Sequence, residues 1–312
     1  MIAARANRVS IFGPVRAEVD SMRIGTNLDS SGMAPLEDAR AEAVKNAARG
    51  FDSGWTNQFP NGLDALALLP YFSDGPAELG TAVVPTYPRH PAAMATEALA
   101  VQAMTGGRLT LGIGPSHKVM IEGALGLAYS APARHTREYL EVLKPLLRGE
   151  HVKYSGEFFT VDTQLSAPTP PPSVLVSALG PRMLEVTREL AEGTIAIWVR
   201  PDLVADYLVP RLGDGARVVV GLTVSVTADP DGTRERVARN FSMIGDLPAY
   251  RAVLDRGGLD SPADALVVGD EADVLRELAR FRDAGTTDLI VHPEGTAEEK
   301  ERTLEIVAGL ER

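Results

Sequence analysis

Two short segments carry residue types that could do chemistry, and each follows an apolar run. Gly112-Ile-Gly-Pro-Ser-His117 ends in a histidine, whose ordinary pKa near 6.5 lets it donate or accept a proton around neutrality. Leu179-Gly-Pro-Arg182 has the composition of a turn that opens a helix. Free N–H groups and a partial positive charge at a helix start bind phosphate. The two segments predict an acid–base residue near a phosphate-bearing ligand.

Other kinds of site find no support in the chain. There is no cysteine, so disulfide and thiolate chemistry are excluded. No cluster of histidines and carboxylates has metal spacing, and we expect no catalytic metal. The net charge of −11 argues against a nucleic-acid partner, which needs a basic surface. No apolar run approaches the roughly 20 residues that span a bilayer, so no membrane association is expected.

Eight short apolar runs alternate with helical patterns along the chain, and the fold that they form must position the two chemical segments. The runs cover residues 22–27, 52–56, 78–84, 108–114, 174–178, 194–199, 218–226 and 288–292. Alternation of this kind is typical of parallel βα units. Eight units predict an α/β fold, a (β/α)8 TIM barrel with its active site at the C-terminal ends of the strands.

Domain organisation follows from the spacing of the runs. The intervals 115–173 and 227–287 are too long for loops, so insertions are predicted after strands 4 and 7 of one barrel domain, residues 22–312. Residues 1–21 lack an apolar stretch long enough for a signal peptide. They are predicted to be a disordered N-terminal extension.

From about Met22 to its end the chain resembles a known family, and the resemblance is densest between Gly80 and Gly193. Arg89-His-Pro91 at a helix start, then Gly106-Gly-Arg-Leu-Thr-Leu-Gly-Ile-Gly114, resemble the F420-dependent branch of the luciferase-like monooxygenase superfamily. The resemblance implies a barrel of the bacterial-luciferase type. It also implies a non-prolyl cis peptide, at Ala82–Val83 in this chain, placed behind the central ring of the deazaflavin.

The resemblance further assigns roles to the two chemical segments. The turn before Pro181 matches the family's phosphate-binding segment, so the predicted cofactor contacts besides Ala82 and Val83 are Ser177, Ala178, Leu179, Gly180 and Arg182. His117 matches a position that related enzymes use as acid or base, and a protonated His117 is expected to supply the proton that accompanies the hydride. Ser116 beside it is predicted to line the substrate pocket.

One segment departs from the family pattern. Where family members often carry an acidic residue and a histidine, this chain has Asn57 and Gln58. The chemistry of the sugar-phosphate dehydrogenase branch is therefore not expected, although Asn57 remains a predicted cofactor contact. The predicted substrate pocket contains Gln58 together with residues that end other strands: Asn27, Trp198 and His292. For Trp198 a buried core position is an equal alternative.

These features predict a cytoplasmic F420-dependent oxidoreductase that acts on a small molecule. Reduction of an activated C=C, C=N or C=O bond is the expected direction, with alcohol oxidation as an alternative. Two further alternatives keep the fold: an FMN-dependent luciferase-like monooxygenase and a barrel that binds a flavin or deazaflavin without catalysis. A homodimer is usual for the family and is expected here.

Overall fold

The computed structural model describes residues 21–310, so the predicted extension at residues 1–21 lies outside the described residues apart from Ser21. Parallel strands dominate its sheets. The strands are β1 (Arg23–Leu28), β2 (Ser53–Thr56), β3 (Glu78–Thr81), β4 (Val84–Pro85), β5 (Leu109–Gly114), β6 (Val152–Ser155), β7 (Thr160–Thr163), β8 (Ser173–Val176), β9 (Gly193–Ile197), β10 (Arg217–Val226), β11 (Val267–Gly269) and β12 (Asp288–Pro293).

Eight of these strands close into a barrel. Each of β1, β2, β3, β5, β8, β9, β10 and β12 pairs in parallel with the next, and β12 returns to β1. The eight predicted strands and the TIM-barrel fold are therefore confirmed. The predicted run 78–84 differs in detail, because it divides into β3 and β4 at a cis peptide bond between Ala82 and Val83. That bond lies where the family resemblance placed it.

Helices cover the outside of the barrel. They are α1 (Leu36–Ala48), α2 (Ala65–Leu68), α3 (Pro91–Met104), α4 (Pro132–Leu147), α5 (Pro181–Leu190), α6 (Pro201–Leu203), α7 (Val209–Leu212), α8 (Pro230–Gly245), α9 (Pro248–Arg256), α10 (Glu271–Asp283) and α11 (Ala297–Ala308). Proline at the first position starts α3 and α5, as the sequence predicts, because its missing N–H would have no partner there.

The two long connections, where insertions are predicted, contain additional helices and strands. Between β5 and β8 lie a π-helical turn (Val119–Ala124), α4 and the antiparallel hairpin β6–β7. Between β10 and β12 lie α8, α9 and β11, which pairs with the end of β10, followed by α10. Residues of α9 reach the C-terminal end of the barrel, where they contact the loop after β5.

The barrel interior has three layers. Alternate residues of a single strand show them most clearly. In β12, Asp288 belongs to an ionic network at the N-terminal end, Ile290 packs in an apolar layer, and His292 lines a cavity above it. The inward residues of β10 follow the same order. Because successive strand residues point to opposite faces, every second residue enters the interior. The closed lower layers leave the C-terminal end as the open one.

Candidate active site

Two adjoining cavities open at the C-terminal end of the barrel. The mouth cavity, of about 320 Å³, lies over the strand ends, and the side cavity, of about 230 Å³, extends toward α5 and α9. They share the lining residues Val83, Ser116, His117, Ser177 and Tyr250. This is the end of the barrel at which the sequence predicts the active site.

Most of the predicted site residues meet at these cavities. The mouth cavity is lined by Asn57, Gln58, Ala82 and His292 in addition to the shared residues, and Leu179 and Gly180 line the side cavity. Four predicted residues line neither cavity: Asn27, Ala178, Arg182 and Trp198.

His117 is held in the loop that follows β5. The preceding Ser116 has a φ of 60°, a left-handed conformation that is uncommon for a non-glycine residue and clusters at functional sites. The Tyr129 hydroxyl donates to the Ser116 carbonyl at 3.1 Å, which holds this turn. The His117 ring contacts the Tyr250 ring of α9, with 4.5 Å between centroids. The imidazole is thus positioned from two sides.

Burial of His117 affects the protonation of its imidazole. Burial lowers the pKa of its imidazole below the ordinary 6.5, because a charged ring is poorly solvated in the cavity. The neutral form therefore predominates at pH 7.

Ala82 and Val83 form one wall of the mouth cavity. Both side chains are partly buried and pack on the apolar layer formed by Trp55, Leu175, Ile195, Val219 and Ile290. Gly114 of β5 approaches them closely, since an added Cβ would meet Val83 at 3.0 Å. A flat apolar ring could lie against such a wall.

The turn before α5 presents fewer free donors than the sequence suggests. The Ser177 N–H donates to the Ile113 carbonyl at 2.8 Å. The Thr194 hydroxyl contacts the N–H of Ala178 at 3.3 Å and its carbonyl at 3.2 Å, and the Ala178 side chain is buried. Gly180 faces open space, with no atom within 4 Å of an added Cβ. The free approach to this turn is therefore at Gly180 and the first turn of α5.

Arg182 and Arg256 differ in their relation to the side cavity. Both side chains are exposed, but Arg182 lines neither cavity, whereas Arg256 of α9 lines the side cavity. The Arg256 guanidinium lies 4.3 Å from the centre of the Tyr207 ring, and it contacts the Leu179 carbonyl at 3.4 Å. A cation beside Gly180 complements the positive start of α5, and both favour an anionic group there.

The Asn57 and Gln58 side chains differ in how they are used. The Gln58 amide is engaged by its own loop, accepting from the Ala65 N–H at 3.0 Å and donating to the Phe59 and Leu63 carbonyls. The Asn57 Oδ1 is buried without a hydrogen-bond partner among the described residues. Asn57 is therefore the better candidate for a ligand contact.

Trp198 and Asn27 lie outside the two cavities. Trp198 is buried, has a φ of 57°, and packs edge-on against Tyr250 at 4.5 Å. Trp198 therefore packs behind the Tyr250 ring that contacts His117. This placement fits the alternative of a buried core position. Asn27 pairs in register with Trp55 below the cavity.

The polar and charged side chains that the sequence prediction missed include Tyr129, Tyr250 and Arg256. They lie in the two long connections, where no strand or helix pattern indicates which side chains turn back to the barrel. Among residues 21–310, no group of three or more His, Asp or Glu side chains is arranged to hold a metal ion. No helix in the same part of the chain is both long and apolar enough to span a membrane.

Comparison with known proteins assigns the family. The model of the luciferase-like monooxygenase family matches residues 16–299. The 5,10-methylenetetrahydromethanopterin reductase of Archaeoglobus fulgidus is 27% identical over 270 residues, 78% of this chain and 80% of that protein. An F420-dependent glucose-6-phosphate dehydrogenase of Nakamurella multipartita is 25% identical over 311 residues, 88% of this chain and 91% of that protein.

A solved structure agrees with these sequence relatives. The coenzyme F420-dependent tetrahydromethanopterin reductase of Methanopyrus kandleri superposes with a TM-score of 0.76 at 21% identity, covering 93% of this chain and 98% of that one. The shared fold is the barrel described above. Since the family model spans most of the sequence, the chain belongs to the luciferase-like monooxygenase family.

Proposed function

We propose that this family member is an F420-dependent oxidoreductase, which transfers a hydride between the deazaflavin coenzyme and a small organic substrate. The proposed direction is reduction of an activated C=C, C=N or C=O bond. One observation carries the proposal: the Ala82–Val83 wall, His117 and the Gly180 turn line two adjoining cavities at the functional end of the barrel. The relatives named as F420-dependent enzymes support the choice of cofactor.

The lining of the two cavities fits the two ends of such a cofactor. The apolar wall of Ala82 and Val83 suits an aromatic ring, and Asn57 Oδ1 offers an unused acceptor nearby. Gly180, the start of α5 and Arg256 suit the anionic tail. When bound, the deazaflavin supplies the hydride chemistry, and the protein supplies position and the proton.

His117 is the proposed proton-transfer residue. It lies where the two cavities meet, so a substrate in the mouth cavity is within its reach. With a neutral resting imidazole, it accepts the hydroxyl proton when an alcohol is oxidised. In the reducing direction it must first take a proton, which it then delivers to the substrate. The cytoplasmic location and the homodimer remain predictions.

Titration of the purified protein with F420, and separately with FMN, tests the cofactor. We expect F420 to bind in the micromolar range, with a change in deazaflavin fluorescence, and FMN to bind much more weakly. Tight binding of FMN alone would move the protein to the flavin monooxygenase alternative. Binding of neither cofactor to a folded protein would contradict both alternatives and end the proposal.

Arg256→Gln is expected to weaken F420 binding about threefold to tenfold, because an exposed charged contact contributes less than a buried one. The loss should shrink as salt is added. Arg182→Gln is the matched control, since it removes the same charge near α5 from a side chain outside the cavities. Fluorescence titration measures both. A larger loss for Arg182→Gln would show that the tail runs outside the side cavity.

A further inference from the structure

The mouth cavity has an uncharged lining. The chain carries 31 basic and 42 acidic residues, yet none of the described residues around this cavity is Asp, Glu, Lys or Arg. The polar side chains there are amides, hydroxyls and imidazoles. An ion that entered would lose its hydration without a countercharge, which is strongly unfavourable. Among the described residues, Arg256 in the side cavity is the only charged residue that lines either cavity.

Gly221 of β10 differs from the other glycines of the eight barrel strands. At six of the seven such glycines in the described chain, an added Cβ would come within 3.0 Å of another atom, so packing explains the glycine; these are Gly25, Gly54, Gly80, Gly112, Gly114 and Gly193. At Gly221 the nearest atom would be 3.6 Å away, an ordinary contact. Glycine weakens a strand, and packing does not explain why residue 221 is a glycine, so we look for a functional explanation.

The space beside Gly221 leads to His292. The nearest atom to the added Cβ is His292 Nε2, and Gly221 pairs in register with Ile290, two residues before it. Its backbone belongs to the β10–β12 ladder, but none of the hydrogen bonds among the described residues involves its imidazole. Burial lowers its pKa to about 4, so the ring is neutral and keeps one N–H donor and one acceptor. An imidazole that has no protein partner and lines a cavity is available to hydrogen-bond a ligand.

Gly221 also lies opposite the proposed ring wall. β3 and β10 are the third and seventh of eight barrel strands, so they stand on opposite sides of the mouth. A ring against Ala82 and Val83 leaves the Gly221 side to the other reactant. This step rests on the proposed function, because that function places the ring.

We propose that Gly221 and His292 form the substrate pocket, and that it takes an uncharged molecule whose carbonyl or hydroxyl oxygen hydrogen-bonds the His292 imidazole. Gly221 sets the depth of this pocket. A phosphorylated or otherwise anionic substrate is excluded from it by the uncharged lining.

Three probes of one ring size test the charge preference: cyclohexanone, cyclohexanecarboxylate and cyclohexylammonium. Their dissociation constants are measured by NMR titration of the full-length protein, with and without saturating F420, together with the His292 imidazole ¹⁵N shifts. We expect cyclohexanone to bind and to move those shifts, and both ions to bind about tenfold more weakly or not at all. A preference for either ion, equal binding of all three, or no binding of cyclohexanone would overturn the proposal.

Variants test the two residues. Gly221→Val should weaken cyclohexanone binding about tenfold or more, and Gly221→Ala by less, because each fills the same space to a different depth. His292→Phe should weaken it about threefold to tenfold through loss of the hydrogen bond. Gly123→Ala is the control, since its added Cβ meets only an atom 3.9 Å away, outside the mouth cavity.

Unchanged cyclohexanone binding in a folded Gly221→Val protein would remove Gly221 from the pocket. Melting temperatures and the F420 titration are measured on the same samples. The wild-type protein could fail to bind F420 and still bind cyclohexanone in a way that depends on Gly221. That result would reject the proposed cofactor and keep the proposed pocket. The reverse result would reject the pocket alone.

Discussion

His117→Ala is expected to lower turnover about 10²-fold or more, the usual range for loss of a general acid–base residue. The affinity for F420 should stay close to that of the wild type, because the proposed cofactor contacts lie on the Ala82–Val83 wall and at the Gly180 turn. Turnover is measured with a substrate found by screening against reduced F420, and affinity by fluorescence titration. Equal turnover in the variant would remove His117 from the mechanism.

The pH dependence of the wild-type enzyme gives a second measurement of the same role. Burial lowers the pKa of His117 below 6.5. Alcohol oxidation needs the neutral ring, so kcat/KM should rise with pH through that lowered pKa and then level off. Reduction needs the protonated ring and should fall over the same interval. Both limbs should disappear in His117→Asn, whose side chain does not titrate in this range.

Much of the barrel was predictable because its strands obey local rules. Apolar runs of four to ten residues, proline at helix starts and glycine after helix ends are written into the chain one element at a time. The break between β3 and β4 could not be read from residue types, since 78–84 is an unremarkable run of small and branched residues. It was expected only through the family resemblance.

The site was predictable in part, for a different reason. Residues at strand ends, such as His117 and His292, reach the site through the barrel topology alone. Tyr250 and Arg256 reach it because α9 folds back over the barrel, a tertiary contact that leaves no periodicity in the sequence. The position of Arg182 in α5 predicts a phosphate contact, but the sequence does not show that this side chain lies outside both cavities.

At the opposite end of the barrel, Arg217→Met is expected to lower the free energy of unfolding by about 3–5 kcal/mol, the cost of breaking a buried ionic contact. Arg217 Nη2 donates to Glu78 at 2.9 Å and to Asp288 at 2.8 Å. The Asp288 side chain is only 1% exposed. Methionine fills similar space but leaves these carboxylates with Arg23 as their one remaining cation among the described residues. Urea unfolding followed by circular dichroism measures the loss.

Two further variants separate charge from packing in that network. Asp288→Asn added to Arg217→Met should recover part of the stability, because the unpaired carboxylate causes most of the loss. Arg302→Met, which removes an exposed partner of Glu271, should change the free energy of unfolding little.

For Glu78, burial raises its pKa, but Arg217 and Arg23 outweigh that effect and hold the pKa below its ordinary value. Its contribution to stability is therefore full above about pH 4.3, the pKa of an unfolded glutamate, and is lost as the pH falls further. Arg217→Met should weaken this acid dependence. An unchanged acid limb would mean that Arg217 acts there by packing alone.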